Sequence, residues 1–332
     1  MRALVVEAPG EIRVRDVARP SPGGHALVQV ERAGLCGTDL KIISGAVPVR
    51  TPRILGHELV GRVVVPAAGG RFAEGTRVVV DPVVSCGRCP VCRADLPHLC
   101  PDGGLIGRDR DGGAAAYLTV PEERLHRVPD DLGMDAAALL QVLATCVHAQ
   151  EPVEVPVGGT AVVVGLGVTG QIHAQLLALR GAGRVVGVTR SVAKRELAER
   201  LGAYAAVPPS EAEGVVRDLT GGLGGDLVVE CAGTPETLSL AMRLAGPGGT
   251  VLCYGTIAPH ADQVPTYDWY LKELRLLGAR AARPRDFPRA IALAAGPLRL
   301  APLLTATYPL DRAADAVAAC ADPTQLKVVL DP

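Results

Sequence analysis

The run TAVVVGLGVTGQIHAQLLAL at residues 160–179 constrains this chain most, because it carries a strand into a helix through a glycine-rich turn. Residues 161–164 are small or β-branched, which reads as a short strand covered on both faces. Gly165, Gly167 and Gly170 then fall at the G-x-G-x-x-G spacing, with Val168 and Thr169 opening the helix. The three glycines serve a tight turn, a close approach of backbone to a pyrophosphate, and close packing of helix on strand. The unpaired N–H groups of the helix N-terminus receive the phosphates. With 39 glycines in the chain the spacing alone is weak. Its context is stronger: strand-like runs recur at 185–189, 205–207, 227–230, 250–254 and 274–277, with helix-like segments between most of them. Six such strands predict a doubly wound parallel sheet of the α/β class with a dinucleotide at its glycine turn.

At 332 residues the chain has room for two domains. A net charge of −1, with both signs spread along the chain, gives no footprint for nucleic acid or an anionic membrane. The opening MRALVVEAPG is too short an apolar run for a signal peptide, and the apolar stretch 136–149 is too short for a bilayer, so the expected location is cytoplasmic. Up to about residue 130 the pattern is many short strands, at 3–7, 12–16, 26–33, 59–65, 77–80 and 116–120, punctuated by Pro and Gly. No long helix intervenes, which predicts an antiparallel barrel or sandwich. A helix-like segment at 135–150 leads into the dinucleotide-binding domain. The predicted division is a first domain at 1–150, completed by 279–332 through a last strand at 327–330, and a dinucleotide-binding domain at 151–278.

Four of the nine cysteines are bunched as Cys86-x2-Cys89-x2-Cys92-x7-Cys100. In a chain without secretory features such bunching points to metal rather than disulfides. Zinc held by four thiolates is closed to water, so this lobe folds a loop and catalyses nothing. His98, inside the lobe, reads as a surface residue. Upstream, Cys36-Gly37-Thr38-Asp39 offers a thiol, a hydroxyl and a carboxylate, and Gly56-His57-Glu58 an imidazole and a carboxylate. A cysteine and a histidine hold a metal that still admits substrate when a third ligand comes from elsewhere. Each residue also has an ordinary alternative: Cys36 as a small core residue, Thr38 or Asp39 as a helix cap, His57 as an interior histidine.

In order and separation these four motifs resemble the zinc-containing alcohol dehydrogenases of the medium-chain dehydrogenase/reductase superfamily, and the resemblance covers essentially the whole chain. It implies a GroES-like β-rich catalytic domain beside a Rossmann domain. It implies further that Cys36 and His57 bind a catalytic zinc, that Cys86, Cys89, Cys92 and Cys100 bind a structural one, and that Asp39 orients His57. Glu58 would sit behind the metal and exchange into its shell. The family's third ligand is commonly cysteine, glutamate or aspartate; here the matching position is Gln141, as in some sugar dehydrogenases, with Cys146 the competing candidate. An amide is the poorer zinc ligand and would leave the metal the stronger Lewis acid. Thr38 matches the hydroxyl that starts the proton's way out, whereas Lys41 stands where a histidine often ends it. Lys327 matches a basic position near the pyrophosphate.

Cofactor choice turns on Thr189-Arg190-Ser191, with Lys194 one turn on. An acid roughly 20 residues past the glycine turn would hold the 2′-hydroxyl of NAD. None stands here, and hydroxyls beside a guanidinium favour NADP over NAD. Ala232-Gly233 and Tyr254-Gly255-Thr256 follow strands and are further cofactor candidates, whereas His173 reads as an ordinary helix residue. The expected activity is hydride transfer between NADP(H) and a secondary alcohol or ketone of a polyol, sugar or cyclitol, in a homodimer or homotetramer. Two alternatives stay open: a zinc-independent enone or quinone-type reductase of the same superfamily, and a non-catalytic protein that binds NADP or a metabolite.

Overall fold

The computed structural model describes residues 1–155, 157–255 and 264–332; Thr256 lies outside them. The chain divides into two compact units, Met1–Ala144 with Ala281–Pro332, and Thr145–Arg280. The first opens with a hairpin, β1 (Arg2–Ala8) and β2 (Glu11–Asp16), with β4 (Arg53–Ile54) on the other side of β1. Its main sheet draws on β3 (Ala26–Gly34), β5 (Glu58–Val65), β6 (Arg77–Val80), β9 (Tyr117–Val120), β10 (Leu125–Arg127), β17 (Leu304–Pro309) and β18 (Lys327–Asp331). The order is β10-β6-β5-β3-β18-β17, and β9 pairs with the first half of β3.

These pairs are antiparallel except β17 and β18, which run parallel. The exception follows from α11 (Ala313–Ala319), which carries the chain back so that β18 can start at the same end as β17. Alternation along the strands puts Val28, Val30, Leu59, Val63, Val78 and Val80 in one core. A short ladder of β7 (Val83–Val84) and β8 (Gly104–Leu105) brackets α2 (Pro90–Arg93) in the cysteine lobe, and α1 (Gly37–Ile43) follows β3. The helix expected at 135–150 is broken into α3 (Met134–Ala137) and α4 (Leu140–Gln150), and α10 (Asp286–Ala294) lies in the returning segment.

The second unit is a six-stranded parallel sheet in the order β13-β12-β11-β14-β15-β16. Its strands are β11 (Thr160–Val164), β12 (Arg184–Val188), β13 (Ala205–Val207), β14 (Gly225–Glu230), β15 (Ala245–Cys253) and β16 (Arg275–Gly278). Between them run α5 (Val168–Leu179), α6 (Val192–Arg200), α7 (Pro209–Leu219), α8 (Pro235–Leu244) and α9 (Thr266–Leu271). The central strands are apolar through their middles because each face meets a different cluster. Val162 and Val164 pack with Val186, Val228 and Val251; Ala161 and Val163 pack with Val185, Val229 and Leu252. Strand order reverses between β11 and β14, so the binding crevice opens at the carboxyl ends there. Among the described residues no helix is long and apolar enough to cross a membrane.

Candidate metal centres and dinucleotide site

The cysteine lobe converges because its backbone is aimed at sulfur. The N–H groups of Cys86, Cys89 and Cys92 donate at 3.4 Å to the sulfurs of Cys100, Cys86 and Cys89. The sulfurs of Cys86 and Cys92 stand 4.0 Å apart and those of Cys89 and Cys100 3.9 Å. A tetrahedral zinc with bonds of about 2.3 Å needs sulfurs about 3.8 Å apart. Backbone N–H groups of Arg88 and Cys89 push the Cys86 thiol down to about 6, while burial and then the neighbouring thiols push Cys92 up to about 12. One thiolate therefore forms readily and another resists, and a bound cation would draw the remaining protons off. The donor set and spacing fit a structural zinc. His98, expected at the surface, is instead buried in this lobe at 8% exposure.

The second cluster is assembled from separate elements. Cys36 caps α1, and His57 and Glu58 lie where the chain enters β5. Candidate ligand atoms of Cys36, His57 and Glu58 lie within 4.8 Å of one another. Asp39, fully buried in the first turn of α1, accepts the Cys36 N–H at 2.9 Å through Oδ2 and turns Oδ1 to His57 Nδ1 at 3.4 Å. The one carboxylate thus closes the helix start with one oxygen and faces the imidazole with the other. Burial works to lower the His57 pKa, yet Asp39, with a further push from Cys36, leaves it raised well above 6.5. Neither His57 Nδ1 nor Asp39 Oδ1 has an aligned hydrogen bond among the described residues. A half-buried thiol converging with a buried imidazole and carboxylate is a donor set that suits zinc.

Behind Glu58 the structure holds a cation that the sequence did not announce in that place. Lys327, 4% exposed on β18, donates from Nζ to Glu58 Oε2 and, at 2.9 Å, to the carbonyl of Leu35. Burial alone would lower the lysine, but Glu58 and then Cys36 outweigh it and its pKa is raised. Gln141 is 8% exposed in the first turn of α4, in the same unit. Cys146 belongs to the other unit, where its sulfur faces the carbonyl of Thr169 and the hydroxyl of Tyr254. Thr38 and Lys41 are half-buried on α1.

In the second unit the glycine turn takes the shape its sequence demands. Gly165 has φ +93°. A Cβ on Gly170 would stand 1.9 Å from the carbonyl oxygen of Gly165, whereas one on Gly167 would meet nothing within 4 Å. The helix is pressed onto the turn at Gly170 while space is left open beside Gly167, as backbone binding of a phosphate requires. Val168 and Thr169 form the first turn of α5. Beyond β12, Arg195 braces the loop by donating to the carbonyls of Thr189 and Arg190 at 3.0 and 2.9 Å. Ser191 caps α6 by accepting from Lys194 N, leaving the Arg190 side chain exposed. Ala232-Gly233 follows β14 and Tyr254-Gly255 follows β15, at the carboxyl ends beside the crevice. His173, expected to be ordinary, is fully buried: Gln150 Nε2 lies 2.9 Å from its Nδ1, and its ring meets Tyr254 edge-on. A helix residue whose partners lie on other elements leaves no local signal in sequence.

Comparison with known proteins places both units. Residues 22–130 match the family model of the alcohol dehydrogenase GroES-like domain, and residues 168–296 that of the zinc-binding dehydrogenases. The erythritol/L-threitol dehydrogenase of Mycolicibacterium smegmatis is 32% identical, over 93% of this chain and 91% of that protein. The L-galactonate-5-dehydrogenase of Escherichia coli K12 is 31% identical, over 93% of this chain and 92% of that protein. A crystal structure from Sinorhizobium meliloti 1021, named as a zinc-binding dehydrogenase and bound to NADP, is 37% identical. It superposes with a TM-score of 0.92 over 100% of this chain and 99% of that one. The chain therefore belongs to the zinc-containing alcohol dehydrogenases of the medium-chain dehydrogenase/reductase superfamily. Within that class it is an NAD(P)-dependent zinc alcohol dehydrogenase with a GroES-like and a Rossmann domain.

Proposed function

We propose that the protein interconverts a secondary alcohol and its ketone on a polyol, sugar or cyclitol, using NADP(H) in preference to NAD(H). We assign it one catalytic zinc, at Cys36, His57 and Gln141, and one structural zinc, at Cys86, Cys89, Cys92 and Cys100. The observation that carries this reading is the meeting of Cys36, His57 and Glu58 within 4.8 Å, with Asp39 bonded behind them. When bound, zinc supplies the Lewis acidity that makes a hydroxyl acidic near neutral pH, and the nicotinamide supplies the hydride acceptor. Asp39 keeps His57 in one orientation. Glu58 is held from behind by Lys327, which supports a part as a reserve donor and a counter-charge rather than a permanent ligand. Thr38 would accept the departing hydroxyl proton while releasing its own towards the cofactor ribose, and Lys41 stands where a histidine often ends that route. Cys146 is engaged by Tyr254 and Thr169, which favours Gln141 as third donor.

The polar substrate class rests on Gln141 and Glu58 and on the polyol and sugar-acid names of the relatives. NADP rests on Arg190 between the hydroxyls of Thr189 and Ser191, with Lys194 close by and no carboxylate in that loop. The open edge strand β16, beside exposed Tyr267, Trp269 and Tyr270 of α9, supports a homodimer or homotetramer. The test is zinc per chain by elemental analysis, on the parent and on Gln141→Ala with the cysteine lobe intact. Two zincs falling towards one support the assignment, and a polyol screen with NADP and NAD follows; one zinc in both variants overturns it in favour of a zinc-independent reductase.

A further inference from the structure

One buried side chain ties together the loops at the carboxyl ends of β14 and β15. Glu230 ends β14 and is 0% exposed. Its Oε1 accepts three hydrogen bonds of 2.8 Å, from the N–H of Ala232, the N–H of Gly233 and the hydroxyl of Thr237. Its backbone carbonyl accepts the N–H groups of Tyr254 and Gly255, both at 2.9 Å. On the far side Oε2 lies against Gly255, where a Cβ would stand 2.6 Å from it and 2.4 Å from Gly233 N. Ala232 in turn packs on the glycine turn, since a Cβ on Gly165 would stand 2.9 Å from Ala232 N. The turn after β11 and the loops after β14 and β15 are thus fitted to one another around a single carboxyl group.

That arrangement is costly to keep for shape alone. A carboxyl group this deep is unfavourable unless its acceptors are used, and Oε2 has no hydrogen-bond partner among the described residues. What the three bonds to Oε1 achieve is to fix the backbone of Ala232 and Gly233 immediately past the strand. Strand order says which end of the cofactor lies there. The end of β12 takes the adenosine ribose, so the other half of the dinucleotide crosses the reversal point to β14 and β15.

We propose that Glu230 is a positioning residue for the nicotinamide half of the cofactor, acting through the backbone of Gly233 and Gly255. The inference rests on the use of NAD(P) and not on the substrate class. Its mark is selectivity: loss of Glu230 weakens the whole dinucleotide and spares the adenosine half, which the β11 and β12 loops hold alone.

The test titrates NADPH and NADH, and their nicotinamide-free counterparts 2′,5′-ADP and ADP, against the intact enzyme by fluorescence and competition. Glu230→Ala should raise the dissociation constant and KM of the dinucleotide by about tenfold or more, while the half-molecules stay within about twofold. Glu230→Gln, which keeps an amide oxygen as acceptor, should return to within about threefold of the parent. Gly255→Ala, whose Cβ presses on Gly233 N as well as on Glu230 Oε2, should repeat the selective loss; should Glu230→Ala fail to fold, Glu230→Asp, which withdraws the carboxyl group from Ala232 and Gly233, decides in its place. Equal weakening of dinucleotide and half-molecule in Glu230→Ala or Glu230→Asp, or unchanged dinucleotide binding in them, would overturn the proposal.

Discussion

The two metal-ligand clusters of the first unit are built on opposite plans. The lobe takes its four sulfurs from fifteen consecutive residues, and its own backbone N–H groups aim them. The cluster at Cys36, His57 and Glu58 draws on a helix cap and a strand entry, and is braced by Lys327 from 269 residues away. A local cluster is a unit of folding, because ligands and scaffold are the same short segment. A dispersed one is a product of folding, because its geometry exists only after the sheet has closed.

The largest effect is expected at the lobe. Cys92→Ser should lose one zinc per chain and make residues 86–100 a cleavage point in limited proteolysis, since structural zinc contributes on the order of 10 kcal/mol of folding free energy. The dispersed cluster should respond in activity instead. Cys36→Ser is expected to cut kcat by about a thousandfold, roughly 4 kcal/mol in the barrier, with the melting temperature nearly unchanged. A Cys36→Ser variant that unfolds, or a Cys92→Ser variant that stays protease-resistant, would erase the distinction.

Smaller effects sharpen it. Lys327→Met leaves Glu58 buried without its cation and should cost about 3 kcal/mol in urea unfolding, from a residue that touches no proposed substrate. The second unit gives a pH signature of its own kind through His173, pulled down to about 3 by burial. In the first unit His126 is pulled down to about 4 by burial and then by Arg71 and Arg124. Unfolded, each takes up a proton near pH 6.5, whereas the folded chain withholds it. Their stabilisation is therefore complete above pH 6.5 and drains away as pH falls towards about 4 and 3, at up to about 1.4 kcal/mol per unit for each. Unfolding at pH 7 and pH 5 should differ by about 2 kcal/mol per histidine, and His173→Asn should remove one share.

The same contrast separates the features that are legible in the sequence from those that are not. The glycine turn, the six apolar strands and the lobe are contiguous patterns, so spacing and periodicity expose them directly. Cys36 with His57 became legible through two short motifs whose company matters more than either alone. What stayed hidden depends on partners far away in the chain. Lys327 could be matched to a basic position, yet its ammonium lies on Glu58, a pairing no local pattern encodes. His98 and His173 passed for ordinary residues because a histidine's burial is decided by what folds over it. Glu230 looked like the end of a strand, since its role arises from loops after two different strands.

Pairing β18 with β3 also sets a timetable for a chain made from one end to the other. At about 5–20 residues per second, the 269 residues between Glu58 and Lys327 take roughly 15–50 s to emerge. Throughout that interval the nascent first unit presents an open strand edge at Ala33 and Gly34 and a carboxylate without its cation, and before it closes, residues 145–280, which hold the whole parallel sheet, have already been made. The part of the molecule begun first is completed last, and a ribosome stalled before residue 327 would display a finished Rossmann unit beside an unfinished catalytic one.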